Sequence, residues 1–239
     1  MSPTCAVIIP TYNERETLPH LIRQLMELPG VRVLVVDDGS PDGTGQIAEN
    51  LSSTFPGRLE VMHRPRPAGL GSAYIDGMQH ALGYQTDLIT QMDADLSHDV
   101  RYLPDLIAAA STADLVIGSR YVPGGGVSNW SLDRRLLSRF ANFYVRAVTG
   151  LGVRDATAGY RCWRRETLRQ LPLERLKSSG YSFQVEMAWE TVRRGFRVAE
   201  VPIVFVERTL GRSKMNWPVI LESIWMPWRL RRSRTNERT

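Results

Sequence analysis

Two carboxylates separated by one residue, Asp93-Ala94-Asp95, follow the apolar run Leu88-Ile89-Thr90-Gln91-Met92. Acids at i and i+2 converge on one hard cation when the chain turns after a strand. Oxygen ligands of this kind suit Mg²⁺ or Mn²⁺, which then bridge to substrate phosphates. Three other polar clusters also follow apolar runs. They are Thr11-Tyr12-Asn13-Glu14, Asp37-Asp38-Gly39-Ser40-Pro41-Asp42-Gly43-Thr44 and Gly118-Ser119-Arg120-Tyr121. Asp37 and Asp38 are placed to accept bonds from a base or ribose, and Asp42 or Thr44 to cap a following helix. Arg134 and Ser138 are i, i+4 on one predicted helix and share a face; Arg135 and Arg139 form a parallel pair beside them.

The elements that must position these groups alternate strand and helix. Strands are predicted over 6–10, 31–36, 59–63, 87–92 and 114–118. Helices are predicted around Leu18, Leu21, Ile22, Leu25 and Met26, and over 44–51, 73–84 and 102–110. Alternation of this kind implies an α/β fold, a mostly parallel sheet with helices on both faces. Ligands in such sheets bind beyond the carboxyl ends of the strands, so the four clusters fall along one rim. Gly69-Leu70-Gly71 reads as a simple loop. The second half begins with a glycine-rich loop, 122–130, placed to act as a lid. An amphipathic helix over 132–148 follows, with Leu132, Leu136, Leu137, Phe140, Tyr144 and Val148 on one face. A further strand is predicted over 197–206.

Composition narrows the partners. The 239 residues are 43% hydrophobic and 23% charged, enough for a sizeable core. Cys5 and Cys162 are too few and too far apart for a disulfide framework or zinc spacing, which points to a reducing compartment. No 18-residue apolar run and no basic leader with an apolar core is present. The net charge of +5 is local: residues 208–239 carry eight Arg or Lys against two Glu, leaving the preceding 207 residues at −1. A general nucleic-acid surface is therefore excluded. No Gly-x-Gly-x-x-Gly follows the first strand and no Gly-Lys-Ser/Thr loop occurs, which disfavours nicotinamide enzymes and P-loop NTPases. Trp217, Ile220, Leu221, Ile224, Trp225 and Trp228, followed by Arg229, Arg231, Arg232 and Arg234, read as an interfacial helix on anionic lipid. Pro218 suits its start, and Pro227 is placed to kink or end it.

Val7-Ile8-Ile9-Pro10-Thr11-Tyr12-Asn13-Glu14, Val35-Val36-Asp37-Asp38-Gly39-Ser40 and Gln91-Met92-Asp93-Ala94-Asp95 resemble the inverting family 2 glycosyltransferases of A-type fold. Later segments resemble the dolichol-phosphate (polyprenol-phosphate) mannose synthase branch. These are Gly69-Leu70-Gly71-Ser72-Ala73-Tyr74, Ser138-Arg139-Phe140-Ala141-Asn142, Asp155-Ala156-Thr157-Ala158-Gly159-Tyr160-Arg161 and Gly211-Arg212-Ser213-Lys214-Met215. The resemblance implies a catalytic domain over 1–216, with a nucleotide-sugar half to residue 121 and an acceptor half from 122. A membrane-associating basic segment over 217–239 follows. It implies that Pro10, Tyr12, Glu14, Val36 and Asp38 bind the guanosine of GDP-mannose, with Arg208 and Lys214 also on the donor. Asp93, Ala94 and Asp95 hold Mg²⁺ or Mn²⁺ and the pyrophosphate. Arg120, Arg134, Ser138 and Arg139 meet the phosphate of a polyprenyl phosphate, and Arg120 joins the two aspartates as a catalytic residue. Many members carry Gln two residues after the second metal Asp; Ser97 stands there, so the third ligand falls to Ser97, a water, His98 or Asp99. The implied place of work is the cytoplasmic face of a membrane, as a peripheral enzyme or with a membrane partner subunit. The rival readings are another donor such as UDP-glucose, a saccharide acceptor, or a non-catalytic nucleotide-sugar adaptor.

Overall fold

The computed structural model describes residues 3–67, 69–176, 178, 180–207 and 217–236. Near-continuous apolar runs form a sheet buried on both faces. Its strands are β1 (Cys5–Thr11), β2 (Val31–Asp37), β3 (Leu59–His63), β4 (Leu88–Gln91), β5 (Leu115–Ser119), β7 (Arg161–Arg164) and β8 (Val198–Pro202), in the order β3-β2-β1-β4-β7-β5-β8. Only β7 runs antiparallel to its neighbours, Thr90 facing Cys162 on one side and Val116 facing it on the other. The carboxyl ends of β1, β2, β4 and β5 therefore share one rim, as the alternation predicts. Strands β7 and β8 come from the second half of the chain, so both halves build one sheet.

Helices α1 (Leu18–Met26), α2 (Thr44–Thr54) and α4 (Leu103–Ala109) cover one face. Helices α3 (Leu70–Ala81), α6 (Arg165–Arg169) and α7 (Gly180–Arg193) cover the other. Helix α3 starts three residues before the predicted 73 and takes up most of the expected Gly69–Gly71 loop. Gly69 turns the chain with φ 93°, and Gly71 leaves room for Phe183, whose Cβ lies 3.3 Å from where a side chain would begin. Gly77 seats α3 directly on β1, because any Cβ there would stand 2.6 Å from Ile8. The expected strand over 197–206 is two strands: β8 joins the large sheet, while β9 (Val204–Val206) leaves it to pair in parallel with β6 (Gly126–Ser128). This small ribbon pins the middle of the predicted lid loop.

Helix α5 (Leu132–Thr149) sits the opposite way up from an ordinary amphipathic helix. The large apolar residues of its first three turns face out, Leu132 being 75% exposed, Leu136 67%, Phe140 63% and Phe143 65%, whereas Val145 and Val148 near its end are buried, so Val148 leaves the expected face. Its polar side faces in, because Ser138 bonds Tyr121 and the Asn142 amide donates to Thr157 Oγ1 at 3.1 Å. Helix α8 (Trp217–Asn236) runs unbroken through Pro227. Met226 and Leu230 pack with Val145, Leu151, Val185 and Trp189, whereas Ile224, Trp225 and Trp228 remain exposed. The C-terminal stripe is thus divided between core and surface. The side chains of Trp217, Ile220, Leu221 and Arg234 lie outside the described residues.

Candidate active site

The rim is built from loops that the strands deliver. At the β1 end, Pro10 is buried beside Val36 of β2, and the Asp38 amide donates to the Thr11 carbonyl at 3.0 Å. Tyr12 and Glu14 follow on a turn in which Asn13 takes φ 62°, and the Glu14 carboxylate accepts from Thr17 Oγ1 at 3.0 Å. Asp37 is structural: it accepts from Thr11 Oγ1 at 3.1 Å and from the Ser40 amide at 3.1 Å. Asp42 is structural too, accepting from the Thr44 amide at 3.0 Å and the Arg15 amide at 3.2 Å, which ties the β1 and β2 loops together. The buried Asp38 pairs with Arg64, whose guanidinium also reaches Asp76 at 2.9 Å and donates to Ser72 Oγ at 2.6 Å. Arg64 was not legible as a partner, since nothing in its local sequence points to Asp38.

At the β4 end, Asp93 accepts from Tyr74 Oη at 2.7 Å through Oδ1. Burial, with the Asp93 carboxylate beside it, pushes the Tyr74 phenol well above its usual range, so it stays a donor. The Asp93 amide donates to His98 Nδ1 at 3.0 Å, which places the imidazole proton on Nε2, 3.9 Å from Asp93 Oδ2. His98 is further fixed by stacking on Tyr160, with ring centroids 5.0 Å apart. Gly159 lets the 155–161 segment pass this close: a Cβ there would lie 3.3 Å from His98 and 3.5 Å from Asp93. Asp95 Oδ1 accepts from the Ser97 amide at 3.1 Å.

Of the four candidates for a third metal ligand, two are otherwise engaged. His98 spends Nδ1 on a backbone amide, and Asp99 caps the next turn by accepting from the Arg101 amide at 2.9 Å. Ser97 is buried, and its hydroxyl has no hydrogen-bond partner among the described residues. Two carboxylates and an unpartnered buried hydroxyl on one turn are an all-oxygen donor set. No third His, Cys, Asp or Glu joins them among the described residues. Such a set fits a hard divalent cation that takes its remaining ligands from water and phosphate.

The opposite wall is cationic. Arg120, at the end of β5, is buried and held by Asp155: Nε donates to Oδ2 at 2.8 Å and a terminal nitrogen to Oδ1 at 2.7 Å. Asp155 is itself braced, its amide donating to Glu200 at 2.9 Å. The fully buried Arg161 donates to the carbonyls of Ala156, Ala158 and Gln184, locking the same turn against α7. Arg134 lies 4.1 Å from the Trp130 ring centre and pairs with Glu207. Ser138 accepts from Tyr121 Oη at 2.6 Å. Arg139 stands 6.0 Å from the Tyr121 ring and lines a cleft together with Arg120, Tyr121 and Asn142. Arg208 and Lys214 lie outside the described residues. Tyr74, Asp155 and Trp130 are the site's unpredicted members. Tyr74 and Asp155 stand within quoted motifs, but their partners are 19 and 35 residues away, and only the fold pairs them.

This arrangement can hold a metal diphosphate on one wall and a second anion on the other. The profile of glycosyl transferase family 2 matches residues 6–171. Polyprenol monophosphomannose synthase of Mycolicibacterium smegmatis is 49% identical over 221 residues, 92% of this chain and 83% of that protein. Undecaprenyl-phosphate mannosyltransferase of Micrococcus luteus is 48% identical over 218 residues, 91% of this chain and 89% of that protein. Among solved structures, glucosyl-3-phosphoglycerate synthase from Mycobacterium tuberculosis with Mn²⁺, UDP and glucosyl-3-phosphoglycerate superposes with a TM-score of 0.65 at 20% identity, covering 98% of this chain and 80% of that one. Its complex with Mn²⁺, UDP-glucose and phosphoglyceric acid gives 0.68 at 19% identity. The chain belongs to the family 2 glycosyltransferases and has their A-type fold.

Proposed function

We propose that this enzyme transfers mannose from GDP-mannose to a polyprenyl phosphate, giving polyprenyl-phosphate mannose and GDP. The observation that carries the reading is the pair of relatives near one-half identity over more than nine-tenths of the chain, both named for this acceptor or sugar. The geometry supports it through the metal-suited pair Asp93 and Asp95 facing a cationic wall.

Pro10, Tyr12, Glu14, Val36 and Asp38 form the nucleoside wall, and Ala94 lies between the two metal carboxylates, with Arg208 and Lys214 on the donor as well. Asp93 and Asp95, with Ser97 as the third oxygen, would hold Mg²⁺ or Mn²⁺, which when bound would supply positive charge to the leaving diphosphate. Tyr74 and His98 fix the rotamer and backbone of Asp93, so the carboxylate is oriented before substrate arrives. A phosphate monoester is already anionic near pH 7, so this reaction needs no general base. Arg120, Arg134, Ser138 and Arg139 draw that anion toward the anomeric carbon. Arg120 is neutralised by Asp155 and contributes a fixed donor position more than net charge. Arg134 must exchange Glu207 for the incoming phosphate. In-line attack inverts the α-linked donor to a β-linked product.

The acceptor's tail calls for a membrane surface. Among the described residues no helix is long and apolar enough to cross a membrane. The outward apolar face of α5, with exposed Trp225 and Trp228 of α8 beside Tyr144, forms the face that rests on the bilayer. The implied setting is peripheral attachment on the cytoplasmic face. Replacing Leu136 and Phe140 by Ser should weaken vesicle binding at least tenfold, while shifting stability by no more than ~0.5 kcal/mol. Equal vesicle binding by the variant would remove α5 from this role. Donor and acceptor are tested by offering GDP-mannose and UDP-glucose in competition, each with a short polyprenyl phosphate or a saccharide. Lipid-linked mannose alone is expected; glucose transfer, or a saccharide product, would overturn the assignment.

A further inference from the structure

The chain leaves β6 through Asn129, at φ 63°, and enters α5 after Ser131, the residue at its N-cap. Trp130 stands between them and is 8% exposed. Pairing of Val127 with Phe205 and of Ser128 with Val206 sets β9 beside this turn. The Trp130 ring meets Phe205 edge-on, with centroids 5.6 Å apart. Phe205 in turn meets His98 edge-on at 5.7 Å, so the indole is braced from the turn that carries Asp93 and Asp95. Two guanidinium groups lie over the same indole, Arg134 at 4.1 Å from the ring centre and Arg120 at 5.5 Å. The indole N–H is buried and has no hydrogen-bond partner among the described residues. The contacts that Trp130 makes are thus made by its ring.

Two arginines that converge on one phosphate repel each other before the phosphate arrives. Asp155 and Glu207 offset that repulsion, but a carboxylate also competes with the phosphate. An aromatic face attracts a guanidinium through its quadrupole and carries no net charge. It fixes the cation without consuming the charge that the phosphate needs. Arg134 depends on this more than Arg120 does. Arg120 keeps the buried Asp155 through two side-chain bonds, whereas the carboxylate on Arg134 is partly exposed and is the one to be exchanged. Once Glu207 lets go, a long side chain is free to sample its rotamers unless a second contact holds it. A desolvated cation–π contact is at least as strong as a partly exposed ion pair, so the ring can supply that hold. We propose that Trp130 is a positioning residue for acceptor binding: its ring keeps the Arg134 guanidinium in place while Glu207 is exchanged for the acceptor's phosphate. The inference rests on the reading that Arg134 meets that phosphate.

The test is calorimetric titration of the full chain with a short water-soluble prenyl phosphate, alongside steady-state transfer from GDP-mannose. Trp130→Leu removes the aromatic face. It should weaken prenyl phosphate binding, and raise the acceptor KM, about 5- to 30-fold. The kcat and the KM for GDP-mannose should stay unchanged. Trp130→Phe keeps a face and deletes an N–H that has no partner among the described residues, so it should weaken binding no more than about 3-fold. The same Leu substitution is then made in an Arg134→Gln background, where the ring has no guanidinium to hold. There it should change binding less than about 2-fold. A tryptophan that only packs would cost the same factor in both backgrounds, which would overturn the proposal. Equal losses in Trp130→Phe and Trp130→Leu would also overturn it, by assigning the effect to the indole N–H. Wild type that binds no prenyl phosphate would defeat the acceptor reading and the inference with it. Wild type that binds and transfers mannose, with Trp130→Leu binding equally well, would defeat the inference alone.

Discussion

On the donor side of the rim, Asp37 and Asp42 are satisfied by hydroxyls and backbone amides and Asp93 by a buried phenol, and Asp38, paired with Arg64, is the exception. On the side proposed for the acceptor, Arg120 and Arg134 are each held by one carboxylate, Asp155 or Glu207. Neutral donors fix a carboxylate's position without cancelling its charge, which leaves the donor wall ready to attract a cation. Ion pairs cancel charge, so the acceptor wall must either keep its partner or exchange it when the second anion arrives. Burial separates the two cases: Asp155 is fully buried, whereas the Arg134–Glu207 pair is about one-third exposed, 34% and 36% by side chain. The first partner is structural and the second is replaceable.

The sharpest break in this comparison comes from removing a donor-wall carboxylate. Asp95→Ala should lower turnover about 10³- to 10⁴-fold, since charge stabilisation of several kcal/mol is lost, with the unfolding midpoint little changed. Single-turnover kinetics alongside urea unfolding checks both halves of that statement. Removing the buried acceptor-wall acid should act on the fold instead. Asp155→Ala strands the Arg120 guanidinium without its partner and should cost about 3–4 kcal/mol of stability by urea denaturation. Tyr74→Phe deletes one hydroxyl that orients Asp93. It should weaken metal affinity or activity about 10- to 100-fold, read as a higher metal concentration for half-maximal rate. The smallest effect belongs to the replaceable acid. Glu207→Gln frees Arg134 and should lower the acceptor's KM about 2- to 5-fold with kcat unchanged, the scale of a partly exposed pair. A rise in that KM would place Glu207 in acceptor binding.

The placement of the polar clusters at the strand ends is readable in the sequence because strand-end chemistry is local. The run before Asp93 and the turn after Val36 announce their own geometry, and parallel pairing of β1, β2 and β4 brings them together. Acceptor-side contacts depend on distant segments. Asp155 reaches Arg120 only because β7 inserts antiparallel between β4 and β5, an order that alternation of strands and helices does not signal. The periodicity of α5 correctly gives a helix with an apolar face. It does not say which face meets the protein, and Ser138, Asn142 and Arg134 turn the polar side inward through contacts with residues 15 to 73 positions away. Arg64 sits on Asp38 for the same reason: its partner is 26 residues away and on another strand's loop.

The most direct test of the account is transfer of labelled mannose from GDP-mannose to a short polyprenyl phosphate by the purified chain, with Mg²⁺ or Mn²⁺ and with EDTA, followed by determination of the product's anomeric configuration. The account predicts a β-linked lipid product that forms only with metal. A product formed equally well in EDTA, an α-linked product, or no lipid product from folded protein would contradict it.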